Sequence, residues 1–368
     1  MKPGFFSELR AAVTPRAAAL VLAVLGLQLG FIASYIGAFH HPRPHEIPVA
    51  VVVSGDATKA LAALNGLPGS PFVAHLVADE AQGRGEILDR VSSAAFILSG
   101  TGTNDELLTT SADGVAVAAA VTEVLQRAEQ AQGRTVTVYD IKRPLPGDPH
   151  GMTAFHLAVA WTVGGFLVAI ALGSSRGARQ ANRHRALIRL LALALYSAAA
   201  AAGGVALATR VLGAINGDET RLWWFGALLA FGAGAFAMAL QAVLGFVGVG
   251  LSALLFVVLG NPSAGGACPA PLLPPFWRTV GSWLPPGAGT DAIRGIVYFH
   301  GTGLRHDAAL LGCYAVVGMV ATLFASVMQE PRRVVLADLQ VRPTPAAAPP
   351  PPVITPVTVP VPALPPGR

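Results

Sequence analysis

Long uncharged stretches are the feature that most constrains how this 368-residue chain can fold. A membrane-spanning helix needs about 20 predominantly apolar residues. Charged residues make up only 12% of the chain, against about 25% in an ordinary soluble protein. We therefore predict a membrane all-α protein with lipid around it. Its six transmembrane helices are expected at residues 17–39, 153–172, 190–212, 222–240, 242–260 and 308–328.

The fourth and fifth of these predicted spans share one uncharged stretch. No charged residue follows Arg221 until Arg278. The apolar part of this stretch, residues 222–260, is about twice the length that one crossing requires. It suits two helices joined by a tight turn near Gln241.

Arginines between the second and third predicted spans indicate the orientation. Basic segments remain in the cytoplasm. With six spans, this cluster, the basic N-terminal segment 1–16 and the arginines at 332–333 all fall on one side. A multi-pass protein of the cytoplasmic membrane with both termini in the cytoplasm is the expectation. The arginines could also contact anionic lipid or a partner protein; they are Arg176, Arg179, Arg183, Arg185 and Arg189.

Residues 40–152 change character and predict a small extracytoplasmic α/β domain inserted between the first two helices. They contain thirteen acidic and eight basic residues. Short apolar runs bounded by turn residues predict strands, and the segments between them predict helices. Asp56 and Asp113 are the expected N-caps of two helices. The strands are expected at 49–53, 72–77, 94–98, 106–110 and 135–141, and the helices at 57–65, 79–91 and 113–132.

Residues 261–307 are the least ordinary part of the chain, and we call them the gate segment. Proline and glycine interrupt them repeatedly, and aromatic residues recur. Irregular backbone at membrane depth is tolerated only inside protein or beside a water-filled cavity. The segment is either an outer gate that dips into the membrane or a surface loop with an aromatic anchor. Asp291 and Arg294, three residues apart, are close enough to pair on one helix.

Two runs in the gate segment carry a resemblance to a known family. One reads Asn-Pro-Ser-Ala-Gly-Gly from residue 261, and the other reads Leu-Pro-Pro-Gly-Ala-Gly-Thr-Asp-Ala-Ile-Arg-Gly from residue 284. With the order of spans, they make residues 10–330 similar to membrane proteins related to the permease subunits of type 2 ABC exporters, in the phage-infection-protein-like group. The resemblance implies an outward transporter of amphipathic or lipid-like compounds. It also implies signature positions at Asn261, Pro262, Gly266, Pro285, Gly287, Asp291, Arg294 and Phe299.

The sequence lacks the motifs of several functional classes. There are three lysines and no phosphate-binding loop of the Gly-x-x-x-x-Gly-Lys-Ser/Thr type. A separate ATPase subunit is therefore expected, docking at residues 5–12 or at the arginine cluster. No catalytic constellation, cofactor site or nucleic-acid site is predicted. The histidines around residues 40–45 are read as a polar collar at the end of a helix and not as a metal site.

Two further expectations concern assembly and the C-terminus. Six spans rarely enclose a path for a large substrate, so a homodimer is expected. Residues 331–368 are rich in proline and predict a disordered cytoplasmic tail. The competing hypothesis is a non-transporting envelope membrane protein whose extracytoplasmic domain binds a partner.

Overall fold

The computed structural model of the chain describes residues 14–174 and 183–340, without the side chains of residues 16–17 and 329–340. Its first helix, α1 (Pro15–Phe39), leads into a domain that contains a single mixed sheet. We call residues 40–152 the outer domain, after the location that the sequence predicts for them. Its strands are β1 (Ile47–Val53), β2 (Phe72–Leu76), β3 (Ala94–Leu98), β4 (Asn104–Thr110) and β5 (Thr135–Lys142), and its helices are α2 (Ala57–Asn65), α3 (Glu80–Leu88) and α4 (Val115–Gln130).

The sheet has the strand order β2-β1-β3-β4-β5. All neighbouring strands are parallel except β3 and β4, which are antiparallel. The central strands β1 and β3 have apolar residues on both faces and are covered by helices, as parallel strands usually are. The predicted strands and helices of the outer domain are thus confirmed, with small shifts at their ends.

One of the two predicted helix caps in the outer domain is confirmed. The Asp56 side chain accepts a hydrogen bond from the Lys59 backbone N–H at 3.1 Å and caps α2. The other cap is wrong, because α4 begins after Gly114, which makes no side-chain cap. Asp113 instead binds the Arg90 guanidinium.

The rest of the described chain is almost entirely helical. In chain order its helices are α5 (Thr153–Ser174), α6 (Arg183–Ala206), α7 (Glu219–Leu244), α8 (Phe246–Ala253), α9 (Pro275–Trp283), α10 (Pro285–Tyr298) and α11 (Leu304–Gln340). Within the described residues, five helices are long and apolar enough to cross a membrane: α1, α5, α6, α7 and α11. The protein is therefore a multi-pass membrane protein.

Two of the helices continue as π-helical turns. Leu207–Val211 extends α6, and Leu254–Leu259 extends α8. The apolar helix Phe246–Leu259 is nevertheless short. At 1.5 Å per residue its length is about 21 Å, less than the hydrocarbon thickness of about 30 Å.

Several boundaries differ from the predictions. The turn between α7 and α8 lies at Gly245, with φ of 62°, and not near Gln241. Leucine and valine pattern alone does not mark this position, but glycine adopts positive φ without strain. Helix α6 starts at Arg183 and not at residue 190. Helix α11 continues to Gln340, so residues 331–340 are helical where a disordered tail was expected.

Helix α7 lies at the centre of the helices and α1 at their edge. Of the residues in the most apolar stretch of α7, 61% are buried, against 6% in the corresponding stretch of α1. Helix α7 packs against α5, α6, α10 and α11, whereas α1 packs chiefly on the π-helical end of α8. Since α1 exposes an almost continuous apolar surface, lipid or another protein has to cover it.

Candidate functional site

Helix α10, in the middle of the gate segment, is packed among the long helices. It starts with Pro285 and Pro286, which suit the first turn because their missing N–H groups would have no helical partner there. It contacts α5, α7 and α11. Eleven of its 14 residues are buried, including Ala288, Ala292 and Ile293. Helix α10 is therefore part of the core between the helices, whereas α9 in the same segment exposes Phe276 and Trp283, at 58% and 68%.

Glycines allow the gate segment to fold tightly onto itself and onto α5. A Cβ on Gly281 would lie 2.2 Å from the carbonyl oxygen of Ser263, and one on Gly287 would lie 2.3 Å from that of Gly281. A Cβ on Gly266 would lie 2.6 Å from the Phe155 ring. Such distances leave no room for a side chain. The implied signature positions Gly266 and Gly287 thus have a packing role, while Gly281 was not predicted.

The remaining signature positions at the start of the segment are also enclosed. Pro262 is buried and Asn261 is half-buried. The Oδ1 atom of Asn261 is buried, and it has no hydrogen-bond partner within the part of the chain that the structure describes.

The outer domain and the gate segment share one apolar core. Cys268, Leu272 and Leu273 of the gate segment pack in the same cluster as the buried faces of β1, β3 and α4. The Arg43 backbone N–H donates to the Leu272 carbonyl at 3.2 Å, and the His45 N–H donates to the Pro271 carbonyl at 3.1 Å. The outer domain is therefore seated on the gate segment through apolar and backbone contacts.

Arg90 joins the two regions by charge, and we call Arg90, Asp113 and Asp291 the Arg90 clamp. From the outer domain, Arg90 Nη1 donates to Asp291 Oδ2 of α10 at 3.2 Å, and Nη2 donates to Asp113 Oδ1 at 2.9 Å. The guanidinium also lies 5.4 Å from the centre of the Phe299 ring. Burial alone would lower the pKa of Arg90, but the two carboxylates outweigh burial and raise it.

The predicted pair between Asp291 and Arg294 is wrong. Asp291 binds Arg90, whose five donors can serve two carboxylates at once. Arg294 points elsewhere: its Nη2 donates to the Gly265 carbonyl at 3.2 Å. The whole residue is 5% exposed. Sequence spacing on α10 gave no sign of Arg90, which is 201 residues away.

A cavity of about 400 Å³ lies beside α10 within the gate segment, and we call it the gate cavity. Small-molecule sites are commonly of this size. Its polar lining includes Ser263, Arg278, Thr290, Asp291, Arg294 and Asp307. Asp307, in the first turn of α11, is 4% exposed. Its Oδ2 atom has no hydrogen-bond partner among the residues described. Asp307 was not predicted as a site residue, although an acidic residue directly before an apolar run was a visible signal.

The arginine cluster is only partly described. Arg183 and Arg185 are exposed at the start of α6, and Arg189 is half-buried one turn later. Arg176, Arg179 and the predicted docking stretch at residues 5–12 lie outside the described residues.

The histidines at the C-terminal end of α1 do not come together as ligands. The Nδ1 atom of His40 lies 2.9 Å from the Ile36 carbonyl oxygen, and His45 lies beside Glu46 at 3.8 Å. Among the described residues, no group of three or more His, Cys, Asp or Glu side chains could hold a metal ion. Cys268 and Cys313 are both free.

Comparison with known proteins yields no match to this chain, whether with family models, curated proteins or solved structures.

Proposed function

We propose that the chain is a permease-like subunit of an ABC-type exporter. It moves amphipathic or lipid-like compounds outward, works as a homodimer in the cytoplasmic membrane and is energised by a separate ATPase subunit. The chain itself is not an enzyme in this proposal. The resemblance described above supports it, and one structural observation carries it.

That observation is a buried helix in the gate segment that is tied to the outer domain. Helix α10 lies between α5, α7 and α11 and borders a polar cavity. Its Asp291 is bound by Arg90 of the outer domain. A short helix with a polar cavity inside an apolar bundle is a costly arrangement for a mere anchor, because buried polar groups need partners. It suits a gate whose position the outer domain controls.

The Arg90 clamp also supports six crossings. Three long helices, α5, α6 and α7, follow the outer domain, and an odd number of crossings ends on the opposite side. Asp291 nevertheless contacts the outer domain. In the proposed topology, the short helix α8 and the turn after it bring the chain back across, and α11 makes the last crossing.

Cysteine labelling of intact cells tests this topology. In a chain carrying Cys268→Ser and Cys313→Ser, single cysteines replace Asp89, Arg183 or Arg305, which are all exposed. A membrane-impermeant maleimide should reach Asp89→Cys and Arg305→Cys from outside, and Arg183→Cys only after permeabilisation. Labelling of Asp89→Cys and Arg183→Cys from the same compartment would contradict the proposed six-span topology.

Affinity purification of the full chain from native membranes tests the ATPase partner. An ATPase subunit should co-purify, and its yield should fall when Arg183 and Arg185 are both changed to Gln. The matched control is Arg305→Gln, an exposed arginine on the other side of the membrane in the proposed topology. Export without any co-purifying ATPase would contradict the proposal.

A second candidate function is partner binding by the outer domain without transport. Its support is the edge strand β2, which has a neighbour only on the β1 side and exposes Val73 and Leu76, at 49% and 51%. An open sheet edge can accept a strand from a partner. If this is the function, Val73→Lys abolishes it and Asp291→Asn does not. The permease proposal predicts the reverse.

A further inference from the structure

The gate cavity contains an acidic group without a partner. Asp307 is more than nine-tenths buried and lines the cavity. No hydrogen bond or ion pair to its carboxylate is found within the described residues, and its Oδ2 atom is shielded from solvent. Burying a carboxylate without a partner is costly. A ligand that donates hydrogen bonds and carries positive charge would remove that cost.

A basic group with spare donors lines the same cavity. Arg294 has five N–H donors, and a single hydrogen bond from it, to the Gly265 carbonyl, is present in the described part of the chain. No carboxylate oxygen there lies within 4.0 Å of its guanidinium, so Arg294 and Asp307 do not satisfy each other. A guanidinium in this state favours an anionic oxygen group.

The other charged groups that line the cavity are engaged. Asp291 is held by Arg90. Arg278 donates to the His45 carbonyl at 3.3 Å and lies 3.7 Å from the Glu46 carboxylate. The hydroxyl of Thr290 donates to the Pro286 carbonyl and that of Ser263 to the Leu259 carbonyl. Arg294 and Asp307 are therefore the two buried charged groups of the cavity that remain for a ligand; His306, which is exposed, also lines the cavity.

We infer that the gate cavity binds a zwitterionic group, with its ammonium on Asp307 and its anionic oxygens on Arg294. A neutral pair of opposite charges matches the two available side chains, whereas a simple anion or cation would leave one of them unsatisfied. The group could belong to a lipid headgroup of the phosphoethanolamine type or to a free compound of the same chemistry. The inference names a cargo class and rests on the proposed function only for the claim that the bound compound is transported.

Titration of the purified full chain in phosphatidylglycerol nanodiscs tests the site. The probes are glycerophosphoethanolamine, which carries both charges, and its two halves, ethanolamine and dimethyl phosphate. The zwitterion should bind at least about tenfold more tightly than either half. A tenfold difference in Kd corresponds to about 1.4 kcal/mol of binding free energy. Equal binding of one half, or no binding of any probe up to millimolar concentrations, would overturn the inference.

Two variants with matched controls assign the binding to the cavity. Asp307→Asn keeps the shape of the side chain. Both this variant and Arg294→Gln should bind the zwitterion at least about tenfold more weakly than the original chain. Asp89→Asn and Arg305→Gln remove exposed charges elsewhere and should leave binding unchanged. Thermal unfolding of each variant shows that it is folded. Equal affinity in Asp307→Asn and the original chain would overturn the site.

Lipid composition separates the two sources of the group. If the ligand is a headgroup, nanodiscs containing phosphatidylethanolamine should suppress binding of the soluble zwitterion; if it is a free compound, they should not. Either result supports the zwitterion site. Export is measured in vesicles reconstituted with the chain and its co-purified ATPase. Binding without any export there would keep this site and contradict the proposed transport. Export without binding would keep the proposed transport and overturn this site.

Discussion

The outer domain and the gate segment are built on different principles, although they share one core. In the outer domain, strands such as β1 are specified by their own apolar runs, and α2 is started by its own Asp56. In the gate segment, short helices follow prolines, and their positions depend on backbone contacts with no space for a Cβ. The first region is specified locally. The second is held in place by its neighbours.

This difference indicates which region can move and which contacts can control that movement. A locally specified domain keeps its shape when a distant contact is lost. A segment held by its neighbours can shift when one of those contacts is released. The Arg90 clamp is such a contact, because it joins the outer domain to α10 through Asp291. The following changes test this contrast, from the largest expected effect to the smallest.

Gly281→Ala should have the largest effect on stability. The new methyl group would lie 2.2 Å from the Ser263 carbonyl oxygen, which is backbone and cannot rotate away. We expect a loss of about 3 kcal/mol, at the upper end for overpacking. Thermal unfolding of the purified protein measures it. The control is Gly312→Ala in α11, where a Cβ meets nothing within 4 Å. The same response from both variants would contradict close packing of the gate segment.

Arg90→Gln should have the next largest effect, because it leaves two carboxylates without their partner. Asp291 is 46% exposed, so water screens part of the loss. We expect a loss of about 2 kcal/mol, typical of hydrogen bonds to charged groups. Arg84→Gln, which breaks an exposed pair with Glu80, should cost far less. In a double-mutant cycle with Asp291→Asn, a coupling energy of zero would mean that the contact between Arg90 and Asp291 does not stabilise the protein.

Asp56→Ala should destabilise α2 alone. Loss of an N-cap costs about 1 kcal/mol, and the Asp56 side chain caps α2 through the Lys59 N–H. Hydrogen exchange should speed up in α2 and remain unchanged in α10. Asp89→Ala, at an exposed acidic residue that caps no helix N-terminus, serves as the comparison. Faster exchange in α10 would show that the outer domain is less locally specified than we describe.

Glu86 should give the smallest effect, which depends on pH. Burial raises its pKa, but hydrogen bonds from His75 and Ser92 outweigh burial, so the pKa is lowered overall. A lowered carboxyl pKa adds stability at pH values above the unfolded-state pKa, and this stability is lost as pH falls through the folded-state pKa.

Ser92→Ala removes one of these hydrogen bonds and so tests the effect. The original chain should exceed Ser92→Ala in unfolding temperature at neutral pH, and the gap should narrow below the usual carboxyl pKa of about 4.3. A constant gap across this range would exclude Glu86 as its source.

The outer domain was predictable from sequence because its signals are short in range. Apolar runs bounded by turn residues predicted the strands to within a few residues. The clear failure there was Asp113, because a residue suited to cap a helix was used by a distant arginine. Local sequence does not contain that partner.

The gate segment was predictable in kind but not in contacts. Its proline and glycine content indicated irregular backbone, and the structure buries α10 while α9 exposes Phe276 and Trp283. The pairing of Asp291 with Arg90 depends on how the outer domain packs on the gate segment. The position of Arg294 and Asp307 on the wall of one cavity likewise depends on contacts between distant parts of the chain. The turn at Gly245 was missed for a different reason, since several glycines in an apolar stretch could each have ended the helix.

The most direct test of the account is hydrogen exchange of α10 in the original chain and in Arg90→Gln, both in nanodiscs. We predict that the amides of residues 287–298 in α10 exchange faster in the variant, while those of the central strands β1 and β3 keep their protection. Unchanged exchange in α10, or equal acceleration in β1, β3 and α10, would contradict the claim that the outer domain holds the gate segment through Arg90.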